Sequence, residues 1–144
     1  MVKEIIEQGG YVDKFIGDAI MAVFRGDFHL DRAIDACLAV RNQIEKLPSL
    51  HDHVDFTPRV SIGINSGEMI SGNIGSSSLR RLDYTVIGDT VNTAQRLQSV
   101  ASPGKIVINQ AAYDIVKESF NCLKVGEFIL KNKSIPAVIY EVLD

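Results

Sequence analysis

Residues 9–24, GGYVDKFIGDAIMAVF, decide the fold class. Two short apolar runs flank Gly17-Asp18, the pattern of a β-hairpin closed by a two-residue turn. Lys14 stands in the first run between Val12 and Ile16, which share its face if the strand alternates regularly. Asp18 opens the second run. A Gly-Asp turn by itself accounts for Gly17 and Asp18, but it has no use for a lysine in an apolar strand.

The flanking sequence extends the pattern. Upstream, VKEIIEQ is an amphipathic run that stops at Gly9-Gly10, where a helix C-terminus belongs. It has no start signal, so the reading predicts a chain that begins inside a helix, in a domain missing its front. Downstream, residues 27–47 place apolar side chains at 30, 33, 34, 37, 40, 44 and 47, a helical spacing closed by Pro48. SLHDHVDFTP is a polar connection, RVSIGINSG a strand, EMISGNIGSSS a second strand pairing, and RLDYTVIGD a strand running into a turn. A helix follows over TVNTAQRLQSVA with Asp89 as its N-cap, ended by Pro103-Gly104. KIVINQ is a strand, QAAYDIVKESF a helix, and residues 122–143 two strands joined by a polar turn. Hairpins at both ends and irregular alternation between them predict one α+β domain over 1–144: a mixed, mostly antiparallel sheet covered by helices.

Composition narrows the function classes. The chain has 144 residues, 46% apolar and 23% charged, the balance of an ordinary globular domain with a real core. A net charge of −3 argues against a nucleic-acid footprint, and Arg80-Arg81 is too small a basic cluster to reverse that. Cys37 and Cys122 lack metal-ligand spacing, which suits a reduced, cytosolic setting. There is no signal peptide and no apolar run long enough to span a bilayer, so a membrane enters only through parts of a parent protein.

Several side chains could carry chemistry, each with a plain alternative. Asp18 suits a divalent ion held against substrate phosphates, since magnesium takes one or two carboxylates plus phosphate oxygens and water. Lys14 either snorkels from an edge strand or, in a pocket, donates to a nucleobase or phosphate. Asn92 and Arg96 lie four apart and share a helix face, while Val91, Ala94, Leu97 and Ala101 point roughly the other way. That face is either solvated or aimed at a sugar hydroxyl and a transferring phosphate. Lys131 and Lys133 belong to a charged turn, and His51 and His53 to a loop with no Cys or Glu partner. GNIGSSS lacks the lysine and following helix of a phosphate loop.

In order, GGYVDKFIGDAIMAVF, VSIGINSGEMISGNIG, DYTVIGDTVNTAQRLQ and LKNKSIPAVIYEV resemble the class III nucleotidyl cyclase catalytic domain over nearly the whole chain. The resemblance implies a ferredoxin-like α+β core and a head-to-tail homodimer with active sites between subunits. It implies conversion of ATP to 3′,5′-cyclic AMP and pyrophosphate with two divalent ions, Mg2+ or Mn2+. Lys14 falls on the purine-reading lysine and Thr85 on the other purine-reading position, where threonine resembles the subgroup that includes bicarbonate-responsive cyclases. Asp18 falls on a metal-binding aspartate, Asn92 on the ribose-positioning residue, Arg96 on the transition-state arginine and Lys131 on the lysine that grips the terminal phosphates. By the dimer's symmetry, Asp18 serves one pocket while Lys14 reads the base in the other.

Three departures bear on this. The family's first strand, with its DIxGFT-like segment and first metal aspartate, is absent, which predicts an essentially inactive chain that pairs an exposed strand edge with a second copy or dimerises non-natively. Ser61 stands where a phosphate-binding arginine is frequent, and Arg59 on the same strand face is a possible substitute. The final turn reads Lys-Asn-Lys where Lys-Gly-Lys is common. The alternatives to an adenylate cyclase are a non-catalytic cyclase-like dimerisation or regulatory domain, and a guanylate cyclase, which usually has glutamate where Lys14 stands.

Overall fold

Ile106, Val107 and Ile108 are each nearly inaccessible, so the short run IVIN must be covered on both faces. It forms the inner strand around which the rest is arranged. The computed structural model describes residues 1–48, 57–76 and 81–144, with backbone alone over 73–76 and 81–85. In chain order the elements are α1 (Val2–Glu7), β1 (Tyr11–Ile16), β2 (Ala19–Val23), α2 (His29–Glu45), β3 (Ile62–Ile64), β4 (Ile70–Ser76), β5 (Arg81–Ile87), α3 (Asp89–Val100), β6 (Ile106–Asn109), α4 (Gln110–Val116), β7 (Cys122–Phe128) and β8 (Ala137–Val142).

Among the described residues the strands form three sheets: the hairpin β1-β2, the pair β4-β5, and a four-stranded sheet in the order β3-β6-β8-β7. Among these described strands only β3 and β6 pair in parallel. The α+β architecture with mixed, mostly antiparallel pairing is the one the sequence predicts. Ile106 and Ile108 join Leu30, Ala33 and Ile34 of α2 and Ala112 and Val116 of α4 in one core cluster. Val107 turns the opposite way, to Leu97 of α3, Leu130 and Ile139. Helices therefore cover both faces of this sheet.

Gly63, between the core-facing Ile62 and Ile64, lies directly under α3. A Cβ there would fall 2.9 Å from Gln98 Cα and closer still to Gln98 N and Ala94 O. Strand and helix backbones thus approach as no residue with a side chain would allow, which fixes α3 against β3.

The hairpin turn is as predicted, with Ile16 opposite Ala19 and Gly17 at φ 61. The regular alternation of β1 is not. The register shifts between Val12, opposite Ala22, and Lys14, opposite Met21, so Asp13 is an extra residue in a bulge. Adjacent partners face opposite sides, hence Val12 and Lys14 do too, and of the two expected neighbours Ile16 alone shares the face of Lys14. The helix predicted through Leu47 ends at Glu45, and Leu47 is exposed.

Gly9 N–H donates to Ile6 O and Gly10 N–H to Ile5 O, closing α1 at the predicted place. Arg32 of α2 then ties three segments together. Its guanidinium donates to Gln8 O (3.0 Å), Gly9 O (3.3 Å), Asp27 O (3.2 Å) and Arg25 O. Cys37 and Cys122 are free thiols packed against the same core cluster, and burial pushes the Cys37 thiol up to about 12. No helix among the described residues is long and apolar enough to cross a membrane.

Candidate active site

Asn109 closes β6 and Asn65 follows β3 directly, so the carboxyl ends of these parallel strands carry a polar network. Asn109 Nδ2 donates to Asn65 Oδ1 (2.8 Å), while Asn65 Nδ2 donates to Thr90 O in the first turn of α3 (3.1 Å). Asn109 Oδ1 accepts from Ala112 N–H and caps α4. Thr90 Oγ1 donates to Glu68 O (2.7 Å), closing the segment after β3 onto the same helix. Sequence reasoning passed over both asparagines. The available signal was an asparagine closing each of two short apolar runs, at 62–64 and 106–108, the crevice position at the carboxyl ends of parallel strands.

An open hollow of about 380 Å³ adjoins this network, with Ser66, Thr90 and Thr93 on one side and Leu130, Pro136 and Ala137 on the other. Lys133 and Asp89 stand at it together. Lys133 Nζ donates to both Asp89 oxygens at 2.8 Å. The bond from Lys133 holds the Asp89 carboxyl below the usual carboxylate range, and the nearby Arg96 charge acts in the same direction.

This corrects the expected role of Asp89. The N-cap of α3 is Gly88, at φ 137 and ψ 177, a conformation that favours glycine, and no side chain caps the helix. Asp89 is already helical, and its carboxylate reaches out to the β7–β8 connection instead. Lys133, read from sequence only as part of a charged turn, is the partner that periodicity could not supply.

Asn92 occupies the first turn of α3, exposed, and half-buried Arg96 the second. Lys131 is exposed in the β7–β8 connection, and the Lys133–Asp89 pair brings that connection to the start of α3. Asn132 has φ 62 there, which asparagine tolerates and glycine adopts freely; this accounts for Asn where Gly is common. Thr85 lies on β5 opposite Gly72 of β4, and β5 approaches β1, the strand of Lys14. Lys14 is exposed, with Nζ 3.4 Å from the Asp13 carboxylate in the bulge, whose side chain is fully buried.

Asp18 is exposed at the hairpin tip. Among the described residues no hydrogen bond or ion pair links it to Asn92, Arg96 or Lys131, and none engages those three side chains either. Nor do three His, Cys, Asp or Glu side chains gather into a metal-holding group among the described residues. A lone exposed carboxylate fits a hard divalent ion whose other ligands are phosphate oxygens and water.

Arg59, the substitute expected on the strand face of Ser61, is not on that strand. It precedes β3 rather than lying in it, beside Gly104, and Gly104 N–H donates to Val60 O. That places Arg59 at the end of the crossover where α3 finishes, whereas Asn92 and Arg96 are in the turns where it begins. His51 and His53 lie outside the described residues, as does Arg80.

Comparison with known proteins gives this arrangement its context. A family model described as the adenylate and guanylate cyclase catalytic domain matches residues 3–141. An adenylate cyclase of Anabaena cylindrica is 36% identical over 152 residues, which takes in 99% of this chain but 30% of that protein. The chain thus spans less than a third of that relative. The crystal structure of the adenylyl cyclase CyaB from P. aeruginosa is similar with a TM-score of 0.82 and 31% identity, over 99% of this chain and 76% of that one. The guanylate cyclase domain of RhGC from Catenaria anguillulae, in complex with GTP, is similar with a TM-score of 0.84 and 26% identity, over 98% and 76%. With nearly every residue of the chain inside the matched span and the fold shared throughout, the chain belongs to the adenylate and guanylate cyclase catalytic domain family.

Proposed function

We propose that residues 1–144 form the catalytic domain of an adenylate cyclase, converting ATP to 3′,5′-cyclic AMP and pyrophosphate where two copies meet. One observation carries the reading. Around the start of α3 the polar side chains of Asn65, Asp89, Thr90, Asn109 and Lys133 are all engaged in bonds that shape the fold. Asn92, Arg96 and Lys131, beside them, have no such task among the described residues. They are the positions that the family resemblance assigns to substrate.

In this reading the ribose 3′-oxygen attacks the α-phosphorus and gives up its proton to water. The bond from that phosphorus to the bridging oxygen breaks, and pyrophosphate leaves. Asn92 orients the ribose, and Arg96 donates to the charge that develops on the phosphate. Lys131 holds the terminal phosphates. Lys14 and Thr85 read the adenine edge. Asp18 would hold Mg2+ or Mn2+, which when bound neutralises phosphate charge and favours the deprotonated hydroxyl. Pairing of two copies is supported by exposed apolar side chains on the strands that carry these residues. They are Phe15 (67%) and Ile16 beside Lys14, and Ile70 and Ile87, directly opposite one another across β4-β5.

The competing reading, a guanylate cyclase, draws on the likeness to the GTP-bound domain; the lysine at position 14 speaks against it. The domain within its complete parent protein is assayed with ATP and with GTP in Mg2+ and in Mn2+, beside Lys14→Glu. Cyclic AMP should dominate in the wild type. The variant should lose roughly tenfold or more of that preference, the effect of removing a complementary donor that the bound nucleotide and the second copy would cover. Equal use of both nucleotides by the wild type, or an unchanged preference in the variant, overturns the assignment.

A further inference from the structure

Between the end of β7 and the start of β8 the chain runs from Ile129 to Pro136, with Lys131 near its tip. Little packing holds this segment. Ile129 and Ile135 are 73% and 78% exposed, and only Leu130 is anchored in the core. Lys133 N–H donates to Leu130 O (3.0 Å), bending Lys131 and Asn132 into one tight turn. On the far side of that turn, Lys133 Nζ grips both oxygens of Asp89. Lys131 is therefore bracketed by a buried leucine on one side and a bidentate ion pair on the other.

Asp89 stands three residues before Asn92 and seven before Arg96 on the same helix. A carboxylate in that first turn also meets the favourable end of the helix dipole. The pair is exposed, with side chains 36% and 72% accessible, and such pairs add little to stability. An ion pair of small energetic weight, aligned on both oxygens and spanning 44 residues of sequence, has more use in geometry than in folding.

We propose that Asp89 and Lys133 are positioning residues for catalysis: their ion pair fixes Lys131 in place relative to Asn92 and Arg96. This rests on the reading of Lys131 as the residue that holds the terminal phosphates. The pair contacts no substrate. It acts by removing the freedom of the turn, so that Lys131 meets the pyrophosphate end of the nucleotide already oriented.

The test measures inhibition by pyrophosphate and the KM for ATP in the intact cyclase, with thermal unfolding alongside. Asp89→Asn and Lys133→Met should each raise both constants roughly fivefold, the scale of coupling between residues in contact. The unfolding temperature should shift by no more than about 2 °C, as for a surface pair. Lys133→Arg, which can still fork onto both carboxylate oxygens, should stay near wild type. The deciding measurement combines Asp89→Asn with Lys131→Ala. If the pair works through Lys131, the double variant is no worse than Lys131→Ala alone. Full additivity of the two losses, or an Arg variant as impaired as Met, overturns the proposal while leaving the role of Lys131 intact. If Lys131→Ala alone changes neither constant, the reading of Lys131 is wrong and the proposal falls with it.

Discussion

Replacing Gly63 by alanine tests how the fold holds its site. The added Cβ would lie 2.9 Å from Gln98 Cα and nearer to Gln98 N and Ala94 O, all of them α3 backbone, so no rotamer change can relieve the overlap. Carbon contacts become comfortable near 3.5 Å, so α3 must back away from β3 by about 1 Å. Leu97, fully buried in the same turns, resists that movement because it would leave its cluster with Val107, Leu130 and Ile139. Overpacking of this kind costs about 1–3 kcal/mol. In a domain of this size that lowers the unfolding temperature by about 3–10 °C. The larger consequence is for turnover. Asn92 and Arg96 ride on the displaced helix, and a misplacement of about 1 Å at reacting groups costs on the order of a hundredfold. Thermal unfolding by circular dichroism and cyclase turnover, measured well below the transition, separate the two effects. A variant with wild-type stability and turnover would refute the close approach itself. One destabilised yet fully active when folded would show that α3 absorbs the methyl group without moving its functional side chains.

Other expectations follow from single side chains. In the complete parent domain Arg96→Ala should lower turnover roughly a hundredfold or more with little change in KM, as for loss of a preorganised donor; normal turnover with poor affinity would make Arg96 a ground-state binder. Arg32→Leu strands the four carbonyls that its guanidinium joins and should cost about 2 kcal/mol, read as a lower urea midpoint at unchanged slope. Arg32→Lys should recover little, because one ammonium cannot span that fork; full recovery would mean that charge alone suffices. Cys37, its thiol pushed up to about 12 by burial, should stay protonated at pH 8 and react with a disulfide reagent only as the protein unfolds. Two rapidly reacting thiols in the native protein would contradict that burial.

Asp13 and Asp89 show where sequence reading stops. Both are acidic residues next to recognisable signals, the hairpin and the glycine that starts α3. From sequence Asp13 is one more position in an alternating strand, yet it is the bulge residue that re-aims Lys14. Asp89 has the composition of an N-cap, yet its partner is Lys133, 44 residues away. Strand alternation and cap preference are local rules, and neither carries information about which strand will lie alongside or which loop will arrive from the far end of the chain.

What the sequence determined by itself was whatever a few neighbouring residues decide. Gly17-Asp18 between apolar runs makes the hairpin turn. The spacing of Asn92 and Arg96 puts them on one helical face. The apolar run IVIN makes a short strand, and the two final strands are legible from their alternation. The order of the family's motifs indicated the α+β cyclase fold that the comparisons bear out. Tertiary structure alone decided how these pieces meet. The parallel pairing of β3 with β6 brings Asn65 to Asn109. The packing of α3 on that pair makes a glycine necessary at position 63, and the return of β8 through the sheet carries Lys131 and Lys133 to the start of α3. Those contacts join residues tens of positions apart, and their geometry follows from register and the shape of the core, which exist only once the chain has folded.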